Sequence, residues 1–289
     1  MSMAVVQSDK LVIYDIGANN GDDLPYYLKK GDFVVAVEAN PILCDVLSTR
    51  FSEDIKQGRL VVENCVLVSE EAGSKVPFYI HRTQDVLSQF PRPEKIDEFD
   101  EILLQAKTVP ALFMKHGLPY YVKIDIEHYD EQILRAIFEG GVRPPFISAE
   151  SHSIGVFAAM VSLGEYNAFK LIEGSVIESR YRSHSFEARS GKVDVHTFPI
   201  HSAGPFGDDL EGEWMTASEF FKLLAFVGLG WKDIHATNVR TANPHAKVDH
   251  LRHAIRILFE ASPFTPRKLG APVMEARKLV ARLRGRYPR

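Results

Sequence analysis

Asp15 and Glu38 are acids set at the ends of apolar runs, and between them lies a turn bracketed by Gly17 and Gly21. Residues 11–16 read as a strand, the turn continues into Asp22 and Asp23 at the start of a helix-like segment, and residues 33–38 read as a second strand. Strand, glycine turn, helix, strand, acid is the order of a nucleotide-binding βαβ unit. Glycine at 17 and 21 permits backbone angles closed to other residues and lets a ligand approach the main chain. A carboxylate at Glu38 accepts hydrogen bonds from both ribose hydroxyls and repels a 2′-phosphate. The turn lacks the G-x-G-x-x-G order of a dinucleotide site, and Asp22 and Asp23 stand where a pyrophosphate would lie. With Asp15 adding negative charge, the site suits a cofactor that carries a cationic centre and an ammonium group, which describes S-adenosylmethionine. The plainer alternative is an ordinary α/β turn in which Asp22 or Asp23 caps the following helix.

Three blocks carry a more specific likeness. Asp15-Ile16-Gly17-Ala18-Asn19-Asn20-Gly21, Val37-Glu38-Ala39-Asn40-Pro41 and Val122-Lys123-Ile124-Asp125-Ile126-Glu127 together resemble the FkbM family of S-adenosylmethionine-dependent methyltransferases, with order and spacing matching over residues 11–150. In that family the third block continues with glycine, an acid and a leucine. Asp130 and Leu134 fit, and His128 stands where glycine is usual. The resemblance implies that Asp15 with Gly17, Ala18, Asn19, Asn20 and Gly21 holds the methionine part and that Glu38 grips the ribose. It also implies that Asn40 and the stretch near Val66 flank the adenine, that Ala39 belongs to the cofactor site, and that Asp125 lies beside the sulfonium, facing the acceptor.

Methyl transfer is an in-line displacement, and most of its catalysis is alignment. A hydroxyl acceptor must also lose a proton, so a base or a metal belongs nearby. Ligands of open α/β sheets sit beyond the carboxyl ends of the strands, which gathers residues 125–128 and 150–152 with Asp15, Glu38 and Val66. Glu127 ranks first as base and His152 second, with His128 and Glu150 completing the catalytic set. Each also has a plainer role available, Glu127 as a helix cap and Glu150 as an ion-pair partner. Asp125, Glu127, Glu150 and His152 are types that suit a hard divalent ion. No spacing demands one, so no metal ligands are assigned, and the histidines from 184 to 253 are too scattered for a zinc motif.

Alternating apolar strands and helices predict a doubly wound, mostly parallel, seven-stranded Rossmann-like sheet with helices on both faces. Further strands are expected at 60–68, 120–126, 146–150 and 169–173, with an extended run at 76–81 and a last strand at 193–198. Helices are expected at 24–30, 40–51, 98–105, 131–138, 156–163 and 220–227. Residues 1–200 form the cofactor-binding domain in this reading. Residues 201–262 are an acceptor-side extension packed on it, and 263–289 a basic helical tail. The stretch 174–212 covers the acceptor pocket, its Arg180, Arg182, Arg189 and Lys192 suiting an anionic or sugar-like acceptor.

The chain has 289 residues, 45% of them apolar, and a formal net charge of -4. No overall field recruits nucleic acid, so none is expected as a partner. Cys44 and Cys65 lack metal-ligand spacing and read as buried thiols of a reducing compartment. No signal peptide or membrane span is legible, which makes the expected location cytoplasmic; the basic tail leaves a weak peripheral membrane contact open. The expected activity is methylation of a hydroxyl on a small molecule, sugar or glycan, the oxygen resting on the family resemblance. Two alternatives stay open: an NAD(P)-dependent oxidoreductase, and a non-catalytic cofactor-binding module, which His128 favours.

Overall fold

In a computed structural model the described residues are 10–70 and 73–244. The strands are β1 (Val12–Ile16), β2 (Phe33–Glu38), β3 (Leu60–Asn64), β4 (Val66–Val68), β5 (Lys75–His81), β6 (Phe99–Thr108), β7 (Tyr121–Ile124), β8 (Phe146–Ser151), β9 (Ala168–Glu173), β10 (His184–Glu187), β11 (Val193–His196) and β12 (Gly230–Thr237). The helices are α1 (Leu24–Lys30), α2 (Pro41–Arg50), α3 (Ser52–Lys56), α4 (Val109–His116), α5 (Asp130–Glu139), α6 (Ile154–Ser162), α7 (Ile177–Arg180) and α8 (Ala217–Val227).

Seven strands form the main sheet in the order β3-β2-β1-β7-β8-β12-β9. The five from β3 to β8 pair in parallel, and β12 runs antiparallel to both β8 and β9, so the sheet is mixed. Its central strands β1, β7 and β8 are buried on both faces, as continuous apolar runs require. Tyr14, Val35, Val37, Val122 and Ile147 pack on one side with α5, α6 and α8. Ile13, Val34, Ala36, Tyr121 and Phe146 pack on the other with Tyr26, Tyr27, Phe198 and Phe206. Asn40 and Pro41 open α2 as their types suggest: the Asn40 side chain accepts from Ile42 N at 3.0 Å, with proline in the first turn.

Four expectations change. The predicted helix at 98–105 is strand β6, which pairs antiparallel with β5 and parallel with β4 in a separate three-stranded sheet. The predicted strand at 60–68 is broken at Cys65 into β3 and β4, which belong to different sheets. The expected last strand, 193–198, instead pairs with β10 in a two-stranded hairpin. The seventh strand is β12, which enters the sheet from within the stretch read as an extension, so a boundary at 200 cuts through the sheet instead of marking its end. The tail 263–289 lies outside the described residues. Cys44 and Cys65 are buried free thiols. Among the described residues no helix is long and apolar enough to cross a membrane.

Candidate active site

The carboxyl ends of β1, β2, β7 and β8 open onto a cavity of about 650 Å³. Its floor is the glycine turn. Gly17 N and Ala18 N both donate to Val37 O, at 2.9 and 3.0 Å, which locks the end of β1 to that of β2. At Gly17, where φ is +80°, a Cβ would stand 1.8 Å from the Asp125 carbonyl oxygen. Only glycine lets the ends of β1 and β7 meet this closely.

Glu38 is oriented by the main chain around it. Asn19 N donates to Oε2 and Asn40 N to Oε1, both at 2.8 Å. Each carboxylate oxygen keeps further acceptor capacity, and Glu38 lines the cavity. Burial raises its carboxyl, opposed by those amide donors.

Beneath the floor sits Lys123, a buried cation in an apolar strand. Its Nζ donates to Gly17 O at 2.7 Å and lies 3.3 Å from Asp15 Oδ1 and 3.4 Å from Asp125 Oδ2. The charges of Asp15, Asp125, Asp23 and Asp233 hold Lys123 protonated against the effect of its burial. One lysine does not neutralise four acids, and Asp15, fully buried, is pushed up to about 7 mainly by desolvation. Asp23 is raised for the same reason. It does not cap α1 with its side chain. Its carboxylate accepts from Ser202 Oγ and from Ala203 N, fastening the segment that brings Pro199, Ile200 and His201 to the cavity. Asp22 is bound to Arg50 at 2.9 Å.

The candidate bases meet at the opposite wall. His152 Nε2 is 2.9 Å from Glu150 Oε2 and 3.7 Å from Glu127 Oε2. Burial and then the charge of Asp125 push Glu127 up to about 8 and Glu150 up to about 9. Asp130 is pushed up to about 7 for the same two reasons. Glu127 and His128 both have left-handed backbone, at φ 47° and 66°. His128, at the position where the resemblance implies glycine, thus adopts a conformation that glycine favours. The His128 ring lies 4.6 Å from that of His152, and burial followed by the His152 charge lowers its pKa.

Of the cofactor residues read from sequence, Gly17, Ala18, Asn19, Asn20, Glu38, Ala39, Val66 and Asp125 line the cavity. Asp15, Gly21 and Asn40 do not: Asp15 lies below the floor, Gly21 packs on Leu47 and Phe51, and Asn40 caps α2 and orients Glu38. Glu127, Glu150 and His152 also line it, and His128 stands exposed beside them. Sequence reasoning missed Lys123, Trp231, His201 and the apolar wall of Phe78, Val86, Leu87 and Phe90. A lone lysine inside an apolar run was a usable signal, because a buried charge requires partners. The others arrive only through tertiary packing. The arginines of the 174–212 stretch do not line the cavity, and Arg189 is bound to Asp32 at 3.0 Å.

No curated protein matches the chain. Among solved structures it is similar to the methyltransferase FkbM of Methylobacillus flagellatus KT, with 16% identity and a TM-score of 0.40 over 57% of this chain; the match spans 40% of that protein. It is also similar to the C-terminal domain of precorrin-6Y C5,15-methyltransferase from Rhodobacter capsulatus, with 10% identity and a TM-score of 0.35, covering 79% of each chain. The methyltransferase FkbM domain matches residues 15–170, more than half of the molecule, from the acid that ends β1 to the middle of β9. The chain belongs to the FkbM methyltransferase family.

Proposed function

We propose that the chain is an S-adenosylmethionine-dependent methyltransferase acting on a hydroxyl of a small-molecule or glycan acceptor. The observation that carries the cofactor is Glu38: a carboxylate fixed by two backbone amides, with acceptor capacity left for a ribose diol, on the same cavity as Asp125. On the same cavity the acid Asp125 suits a sulfonium and an ammonium. When bound, the cofactor supplies an electrophilic methyl group on a cationic sulfur. The chain supplies placement and proton transfer. Gly17 lets the ligand lie against the main chain, and the Asp23 latch holds the 199–201 rim over it. Glu127 and Glu150 stand where an acceptor hydroxyl releases its proton, each with a pKa lifted toward the range useful for a base.

The acceptor is inferred from what the wall lacks. Lys123 is the one lysine or arginine among the described lining residues, and it is buried against Asp15 and Asp125. A neutral hydroxylic acceptor fits better than an anionic one. The test is isothermal titration of wild type and Glu38→Ala with S-adenosylhomocysteine. Binding in the micromolar range that the substitution weakens at least about 100-fold supports the reading, since two ribose hydrogen bonds to a charged group are at stake. A folded wild-type chain that binds NAD and not S-adenosylhomocysteine overturns it.

A further inference from the structure

The fold assembles a constellation that the linear spacing hides. Glu127 and His128 follow β7, His152 follows β8, and their ligand atoms all lie within 4.8 Å of one another. Donors around one first-row ion stand about 3–4 Å apart, so side-chain adjustments of about 1 Å would close such a shell. His152 Nε2 is shut off from solvent and makes no hydrogen bond of good geometry, although Glu150 Oε2 is 2.9 Å away. This buried imidazole nitrogen, two carboxyl groups and a second imidazole ring 4.6 Å away thus crowd several lone-pair donors around one point without a well-formed hydrogen bond at His152 Nε2. The two consecutive left-handed residues at 127 and 128 belong to the same corner. Such backbone is strained outside glycine and persists where the surroundings demand it.

We propose that Glu127, His128 and His152 hold a divalent transition-metal ion. Two imidazoles and one carboxylate form a mixed nitrogen and oxygen set, which favours Mn²⁺, Fe²⁺ or Zn²⁺ over Mg²⁺ or Ca²⁺. Glu127 and His152 line the cavity, so the ion faces the space left for the acceptor. There it would bind the acceptor oxygen and lower the pKa of its hydroxyl. Glu127 and His152 then act as ligands, and Glu150 is the carboxyl left to take the acceptor proton. The ion site stands on its own geometry; its role in the reaction rests on the methyl transfer proposed above.

The experiment uses the full chain after chelator treatment. Mn²⁺ is titrated with the free ion followed by electron paramagnetic resonance, Zn²⁺ by calorimetry, and S-adenosylhomocysteine binding is measured on the same samples. One ion per chain is expected, with affinity reduced about 100-fold or more by His152→Ala and about tenfold or more by His128→Ala, while S-adenosylhomocysteine still binds. Substoichiometric Mn²⁺ in the wild type should also broaden the His128 and His152 imidazole proton resonances first, a readout independent of whether the variants fold. Absence of stoichiometric binding of both ions overturns the site, as does binding that both substitutions leave unchanged, or broadening that spares these two rings. Loss of S-adenosylhomocysteine binding in the wild type would instead count against the cofactor reading and leave the ion result to stand alone.

Discussion

Two glycines with nearly the same backbone separate conformational demand from close approach. Gly17 and Gly58 have φ of +80° and +68°. A Cβ at Gly58 meets nothing within 4 Å, whereas one at Gly17 would stand 1.8 Å from the Asp125 carbonyl oxygen. Gly58→Ala should therefore lose only the left-handed penalty, about 1–2 kcal/mol. Gly17→Ala carries that penalty and also drives β1 from β7, breaking the Lys123 hydrogen bond to Gly17 O and moving Asp125. It should cost at least about 2 kcal/mol more than Gly58→Ala and abolish S-adenosylhomocysteine binding. Denaturant melts of the two variants side by side decide this: equal losses would mean that the turn yields, and that close approach is not what selects glycine at 17.

Elements at the centre of the sheet announced themselves because a strand buried on both faces must be apolar throughout. The runs ending at Asp15 and Glu38 and the run beginning at Tyr121 could be read for that reason, and the strand-end rule then placed Glu127, Glu150 and His152 on one wall. The misreadings share another cause. Strand β6 contains Glu101, Ile102, Leu103, Leu104, Gln105, Ala106 and Lys107, residues of good helix propensity. Pairing with both β4 and β5 overrides that propensity, with Ile102, Leu104 and Ala106 packed against Val66, Val68, Val76 and Phe78. Strand β12 was hidden because Lys232, Asp233 and His235 interrupt its apolar run, although Asp233 and His235 are buried. The 199–206 segment had no period to read, because a long-range bond to Asp23 holds it. That bond makes the segment's order testable. Ser202→Ala removes one donor to a buried carboxylate, at about 1–3 kcal/mol. Amide hydrogen exchange should accelerate over residues 199–206 and stay unchanged in α5 and α6. Uniform acceleration across the chain would assign Ser202 to global stability instead of to this rim.

At the scale of the whole molecule, two sets of buried charges pull stability in opposite directions as pH changes. Glu63 in β3 accepts from Lys107 of β6, from Lys115 Nζ at 2.7 Å and from His116 Nε2 at 2.5 Å, so one carboxylate joins the main sheet, the three-stranded sheet and the end of α4. Burial alone would raise its carboxyl, but the three donors prevail and hold it down at about 2 against an ordinary 4.5. A carboxyl lowered on folding contributes stability above its unfolded pKa, and that contribution is lost as pH falls through the folded value. Solvent around Lys107 and Lys115 reduces the contribution to about 1–2 kcal/mol. Asp15 behaves the other way. Raised by burial from 3.8 to about 7, it favours the folded state most at low pH, and this advantage is lost as pH rises through about 7. The two limbs cross where the unfolded carboxyls titrate, so these two groups place the stability maximum of the unliganded chain at about pH 4 and not at neutrality. Two variants separate the limbs. Glu63→Gln should melt lower than wild type from pH 5 to 8, with the difference closing toward pH 2, where the wild-type carboxylate is itself protonated. Asp15→Asn, which keeps the shape and cannot ionise, should flatten the decline between pH 4 and 7. Melting curves across this range would refute the argument if Glu63→Gln lost the same stability at pH 2.5 as at pH 7, because the carboxylate would then be contributing through packing and not through its charge.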